Sequence, residues 1–382
     1  MKVLSVVQDL RDVNGGPSEC IPQIAIALRD AGVEVGIACY EYRFERLSSI
    51  AEEAFASGVK RHFFAGRRSL LNPLDISLDF MRRLENVAKG YDVLIINALW
   101  RFPTWWAAHV ARRLGKPYVI MPHGGMLPNA MAHSRFCKTT IGTLDRYAIG
   151  KAAAVWTTSP LEYESVKKHV PRARVDSVPL GLDTSPYMTS RIKPEGDKVL
   201  LFLSRISEIK ALDMLAEAWA EVVGKSGRGA GKWKLVIAGP DHRGYLAKIK
   251  KFYAEHCPEG SYEFLDAVYG ESKIKLLRDA TAFVLPSRSE NWSVSISEAM
   301  ASGLPVICTK GAPWSIMPEI GAGWRTEISA AGLKAALSEM VSLSPDELHE
   351  MGLRGRKWVM ENLDWNKVGV MMKDKLSQLA TR

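Results

Sequence analysis

The chain has 382 residues, 47% of them hydrophobic and 24% charged, with 51 Lys+Arg against 42 Asp+Glu for a formal charge of +9. That balance excludes a disordered or low-complexity chain, and the length exceeds what one hydrophobic core usually serves, so two domains of roughly 150 to 200 residues are expected. Apolar runs such as VLIINALW and TAFVLPS stop short of the roughly 20 residues that span a bilayer, and the five cysteines are scattered without metal or disulfide spacing, which predicts a reduced, cytoplasmic protein.

The N-terminal KVLSVVQ meets Asp9 and Arg11 too early for a signal-peptide core and reads as a buried strand. Further strands are predicted at VEVGIAC, DVLIINA, PYVIMPH, AVWTTS and VDSVP, with helices such as PQIAIALRDAG and AAHVARRLGK between them. The pattern fails at 186–197, which is the predicted linker. A second series follows at KVLLFLS, WKLVIAG, YEFLD, TAFVLPS and PVICT, apolar enough for burial on both faces. The last helix, Asp364 to Ala380, offers Trp365, Val368, Val370, Met371 and Leu376 for packing. The expected fold class is α/β, two Rossmann-like doubly wound parallel sheets.

Ligands in such sheets bind beyond the carboxyl ends of strands, which directs attention to five segments. In QDLRDVNGGPSE, Gly15 and Gly16 lie between the first strand and first helix, where absent side chains permit close approach to a phosphate or sugar, although a plain tight turn explains them as well. His123 follows a strand beside Gly124 and Gly125. SVPLGLDT precedes the linker. In LLFLSRISEIKALD, Arg205 and Lys210 stand five apart just past a strand end, within reach of one cleft. In AFVLPSRSENWSVSISEAMASGLPVICT, Glu290 sits in a loop at the rim, Glu298 about a turn and a half into the next helix, and the amides from Asn291 to Ser295 open that helix as an anion site. No D-x-D occurs, so no acidic clamp for a nucleotide-bound metal is expected and fixed cations would do that work.

The S-x-x-E-x7-E-A-M-A-x-G-x-P-V arrangement of Ser287, Glu290, Glu298, Ala299, Met300, Ala301, Gly303, Pro305 and Val306 resembles the signature of family 4 glycosyltransferases, the glycosyl transferases group 1. R-x4-K, the P-H-G segment and P-x-G-x-D fall in the family's order; the family's usual R-x4-K-G ends here in Ala211, which suggests a slightly different turn. The resemblance implies a GT-B fold, two Rossmann-like domains facing across a cleft. Residues 1–190 would bind the acceptor and be joined by the terminal helix 364–382, and residues 191–363 would bind a nucleotide-sugar.

The resemblance further implies a retaining hexosyltransferase, using a UDP-sugar or GDP-mannose with a glycan or polyprenyl-linked glycan acceptor in surface polysaccharide synthesis. Retention would proceed by front-face attack, with neither cofactor nor metal. It assigns His123, Glu290, Arg205 and Lys210 to the chemistry. Donor binding would add Gly15, Gly16, Gly239, Val268, Asn291, Trp292, Ser293, Val294 and Glu298, the last on the ribose. A GT-B sugar phosphorylase or nucleotide-sugar epimerase is the alternative, while a dinucleotide oxidoreductase is disfavoured because the first turn lacks G-x-G-x-x-G. Residues 1–190 carry 24 Lys+Arg against 18 Asp+Glu, with aromatic and basic stretches RHFFAGRRSLL and WRFPTWW that look exposed. Peripheral contact with the anionic inner face of the membrane is therefore expected, and nucleic acid is not, since no basic run or nucleic-acid motif is present.

Overall fold

The computed structural model describes residues 1–11, 16–42, 46–66, 72, 74–127, 130–131, 135–188, 198–225 and 233–380. The chain divides into two compact units, Met1–Gly181 with Trp365–Arg382, and Leu182–Asp364.

The first unit is built on seven parallel strands: β1 (Lys2–Val6), β2 (Glu34–Glu41), β3 (Lys60–Ala65), β4 (Val93–Asn97), β5 (Tyr118–Met121), β6 (Ala154–Thr157) and β7 (Val175–Ser177). Their order is β3-β2-β1-β4-β5-β6-β7. The central strands β4, β5 and β6 are buried at every position because helices cover both faces. β3 escaped the sequence reading: KRHFFA is an edge strand with only Phe64 buried, so it lacks the continuous apolar run.

The second unit carries β8 (Lys198–Leu203), β9 (Trp233–Ala238), β10 (Tyr262–Leu265), β11 (Ala282–Leu285), β12 (Val306–Thr309) and β13 (Gly323–Thr326), in the order β10-β9-β8-β11-β12-β13. The unpredicted strand is again an edge, β13, whose GWRT carries a half-buried arginine. Much of the predicted linker, residues 189–197, lies outside the described residues; before it, Tyr187 is buried in the second unit's core.

The terminal helix Trp365–Ala380 packs on the helix Gly16–Asp30 in the first unit. A Cβ at Gly369 would lie 2.4 Å from the Ala27 carbonyl oxygen, so glycine lets the two backbones approach. Trp365 Nε1 donates to Gln23 Oε1 at 3.0 Å and Lys373 Nζ to the Ala31 carbonyl at 2.7 Å. Val368 and Leu376 are buried as the pattern suggested, whereas Val370 is half exposed on the solvent side of the helix. Among the described residues no helix is long and apolar enough to cross a membrane.

Candidate active site

Each unit gathers polar side chains at the carboxyl ends of its central strands. In the second unit the chain runs outward from β8 to β9 on one side and from β11 to β12 on the other, so the topological switch point lies between β8 and β11. Lys210 follows β8, and Ser287 and Glu290 follow β11. Lys210 Nζ donates to Glu290 Oε1, and Ser287 Oγ donates to the same oxygen at 2.6 Å. The pair is largely buried, with side chains 9% and 11% exposed. Glu290 is fixed from behind as well, since its N–H donates to the Gly311 carbonyl at 2.8 Å.

Arg205 is exposed, and no partner for it occurs among the described residues. Nearby Arg288 is committed elsewhere, to both carboxylate oxygens of Asp213 at 3.0 and 2.7 Å. Ala211 holds φ 53 and ψ 42, the left-handed conformation. The turn therefore takes the hand that glycine adopts freely, at a cost of roughly 1 kcal/mol for the methyl group.

The helix Val294–Ala301 starts at Ser293, itself left-handed with φ 73. Asn291, Trp292 and Ser293 are half-buried, Val294 is exposed, and Trp314 Nε1 donates to the Trp292 carbonyl at 2.6 Å. Glu298 lies on the buried face of that helix, where its Oε1 accepts from Lys273 Nζ at 2.5 Å. Tyr187 also hydrogen-bonds Glu298, and burial foremost, with that carboxylate's charge, raises the Tyr187 hydroxyl well above its ordinary range.

The first unit has its switch point between β1 and β4. There Asn97 Nδ2 donates to Ser5 Oγ at 2.9 Å and to the Val6 carbonyl at 3.1 Å, and Asn97 Oδ1 meets His123 Nε2 at 2.9 Å. His123 Nδ1 faces Cys20 Sγ at 3.8 Å. Burial lowers the imidazole to about 4, so the ring is neutral at pH 7. The His123 turn is held open by strain and by clamps. His123 has φ 50 and Gly124 φ 84. Glu162, fully buried in the third position of the helix Pro160–His169, accepts the Gly124 N–H at 2.6 Å and further backbone N–H groups of Thr158 and Met126. Desolvation outweighs those bonds and pushes its carboxyl up to about 7.

Two family models match the chain in succession, a glycosyl transferase 4-like domain over residues 15–181 and glycosyl transferases group 1 over residues 197–342. The chain belongs to the group 1 glycosyl transferases. Among relatives, this glycosyl transferase is 27% identical over 190 residues to a GDP-mannose:cellobiosyl-diphosphopolyprenol alpha-mannosyltransferase of Xanthomonas campestris. That match covers 50% of this chain and 48% of the relative, so the likeness spans about half the length of the curated relative. Among solved structures, sucrose-phosphate synthase from Thermosynechococcus elongatus superposes with a TM-score of 0.79 at 16% identity, covering 99% of each chain. Anabaena HepE in complex with UDP and glucose superposes with a TM-score of 0.76 at 16% identity, covering 99% of this chain and 100% of that one. At such identity these likenesses carry the fold, which is GT-B.

Within each unit of this glycosyl transferase the structure brings some of the expected residues together. Lys210 and Glu290 are in contact; Arg205 stands apart in the same unit without bonding either. Gly239 is demanded by packing, since a Cβ there would lie 1.9 Å from the Ser204 carbonyl oxygen. At Gly16 a Cβ would meet nothing within 4 Å, so contacts inside the unit do not require a glycine there. Gly15 lies outside the described residues, and Val268 is half-buried against the second core. Sequence reading missed Asn97, Glu162, Lys273 and Tyr187, each of which meets its partner only through tertiary folding. The aromatics of WRFPTWW are half-buried rather than exposed: Trp100 donates to the Gly125 carbonyl at 2.9 Å, and Trp106 stacks on Phe102 and His109. In the other stretch Phe64 is buried and residues 67–71 lie outside the described residues.

Proposed function

We propose that this glycosyl transferase moves a hexose-type sugar from a UDP- or GDP-linked donor to a glycan or lipid-linked glycan acceptor, with retention of anomeric configuration, in surface polysaccharide synthesis. The observation that carries the reading is the Lys210, Glu290 and Ser287 cluster at the switch point of the second sheet, with Glu298 on the neighbouring helix. Lys210 and Arg205 stabilise the departing diphosphate, Glu290 and the amides after it hold the sugar, and Glu298 accepts from ribose hydroxyls. His123 is assigned to the sugar by the family pattern. The bond from the anomeric carbon to the diphosphate breaks while the acceptor oxygen bonds on the same face, and the acceptor proton passes to the leaving phosphate. A relative named for GDP-mannose and a diphosphopolyprenol acceptor supports the donor and acceptor classes. The test is a donor screen that follows nucleoside diphosphate release with and without acceptor, together with the anomeric configuration of the product. Turnover that needs no acceptor would favour the epimerase or phosphorylase instead.

The reaction is proposed to need no metal, because Lys210 and Arg205 supply the positive charge that the departing diphosphate requires. Among the described residues no three His, Cys, Asp or Glu side chains gather as a metal site. Turnover should persist in excess EDTA after divalent ions are stripped; loss restored by magnesium or manganese would refute this. We place the enzyme in the cytoplasm, in peripheral contact with the anionic membrane face. Exposed Arg101, Arg112 and Arg113 with exposed Leu144 and Tyr147 support that contact. Co-sedimentation with anionic liposomes should weaken as salt rises, and no binding at low salt would end the idea.

A further inference from the structure

We propose that Asn97 holds His123 as the neutral tautomer protonated at Nε2, leaving Nδ1 as the ring's one proton acceptor, so that Asn97 is a positioning residue for the sugar site. A backbone carbonyl oxygen can only accept. The Val6 carbonyl lies 3.1 Å from one terminal atom of the Asn97 amide, which must therefore be the NH2 group. A second acceptor, Ser5 Oγ at 2.9 Å, takes that group's other hydrogen. The remaining amide atom is then the carbonyl oxygen, and it faces His123 Nε2 at 2.9 Å, where only an N–H makes a bond. Ser5 and Val6 belong to β1 and Asn97 ends β4, so two neighbouring central strands fix the orientation.

The other side of the ring is compatible with this tautomer. Cys20 Sγ lies 3.8 Å from Nδ1, and burial pushes the thiol up to about 12, so it is present as an S–H donor. Its one hydrogen has two acceptors in reach, Nδ1 and the Pro17 carbonyl at 3.9 Å, and a ring protonated at Nε2 accommodates the first. Among the described residues neither ring nitrogen meets a carboxylate that would favour the imidazolium, in keeping with the lowered imidazole. The ring is thus held with one defined lone pair, and it supplies no positive charge to a departing diphosphate at neutral pH. That charge falls instead to Arg205 and Lys210, a consequence that rests on the proposed sugar role of His123.

The experiment uses the full chain with 15N-labelled histidine and long-range proton–nitrogen correlation spectra. Eight histidines are present, and His123→Gln identifies the signals of interest. The expected pattern is protonated Nε2 with unprotonated Nδ1 from pH 8 to about 5.5. A ring protonated at Nδ1, or an imidazolium at pH 7, overturns the proposal. Asn97→Ala should give mixed tautomers and lower kcat about tenfold with donor KM within about twofold, the scale of one lost hydrogen bond; a pure Nε2–H ring in that variant overturns it. Should Asn97→Ala fail to fold, Asn97→Asp keeps an acceptor toward Nε2. It should retain the tautomer and raise the imidazole pKa by at least about one unit, and an unmoved titration overturns the contact. The spectra need no turnover, so an inactive parent protein would count against glycosyl transfer without touching the tautomer.

Discussion

The two polar clusters occupy the same topological station in their sheets and are built on opposite electrostatic plans. In the second unit, two lysine–glutamate pairs, Lys210 with Glu290 and Lys273 with Glu298, stand in largely buried surroundings. In the first, a neutral chain runs from Ser5 through Asn97 to His123, and backbone amides close on Glu162. Taking charge out of water is costly unless it is paired, so each of these lysines has a glutamate partner; on the proposed reading, an incoming diphosphate would replace or share the partner of Lys210. The Ser5–Asn97–His123 chain of the first unit is neutral at pH 7 and fixes orientation through hydrogen-bond geometry.

The sharpest way to break this contrast is Lys210→Ala. Turnover should fall at least about a hundredfold through loss of an electrostatic contact to the leaving group. Stability of the second unit should fall by about 3 kcal/mol because Glu290 is left buried and unpaired. Lys210→Met combined with Glu290→Gln should restore most of the stability and none of the turnover, a pattern that steady-state kinetics and thermal melts would read together. If Lys210→Ala keeps turnover within about tenfold of the parent, the residue does not serve the leaving group. Arg205→Ala should come next, with turnover down roughly a hundredfold but the melting temperature within about 1 °C, since exposed substitutions seldom move stability. A large loss of stability would show that Arg205 is structural.

The same contrast explains what could be read from the sequence. Arg205, Lys210, Glu290 and Glu298 lie just past strand ends or on the first turns of the next helix, where local chain direction fixes their station, and fixed spacings such as E-x7-E register it. Their partners are fixed by the fold instead. Lys273 precedes Glu298 by 25 residues, Asn97 precedes His123 by 26, and Glu162 follows Gly124 by 38, so no local spacing could announce them. Likewise the buried strands announced themselves by apolar runs, and the two missed strands, β3 and β13, are half-polar edges.

A smaller effect separates the two glutamates. Glu298→Gln should weaken nucleoside diphosphate binding about ten- to a hundredfold, since a carboxylate accepting from a ribose hydroxyl contributes alike in ground and transition states. Glu290→Gln should act mainly on kcat if Glu290 holds the sugar as proposed, since charge develops on the sugar in the transition state. Calorimetric titration decides the first point: a Glu298→Gln protein that binds the diphosphate as tightly as the parent leaves Lys273 and Tyr187 as that carboxylate's whole purpose.

The effect least connected with turnover lies in the first unit and concerns pH. Glu162 is raised to about 7, so the folded chain keeps a proton that the unfolded chain releases, and the associated stability is full below about 4.5 and lost as pH rises through 7. His123 is lowered to about 4, so its contribution has the other sign: full above about 6.5 and lost as pH falls through 4. Between about 4.5 and 6.5 the two slopes oppose each other, each roughly 1.4 kcal/mol per pH unit, and should largely cancel in the parent protein. Glu162→Gln removes one of them. Relative to the parent, its first unit should lose stability on acidification from pH 6.5 to 4.5, by on the order of 5 °C in melting temperature for a unit of this size. His123→Gln should shift in the opposite direction over the same range. Melts of both variants at several pH values read the difference directly, and offsets that do not change with pH would mean that neither group titrates as its burial requires.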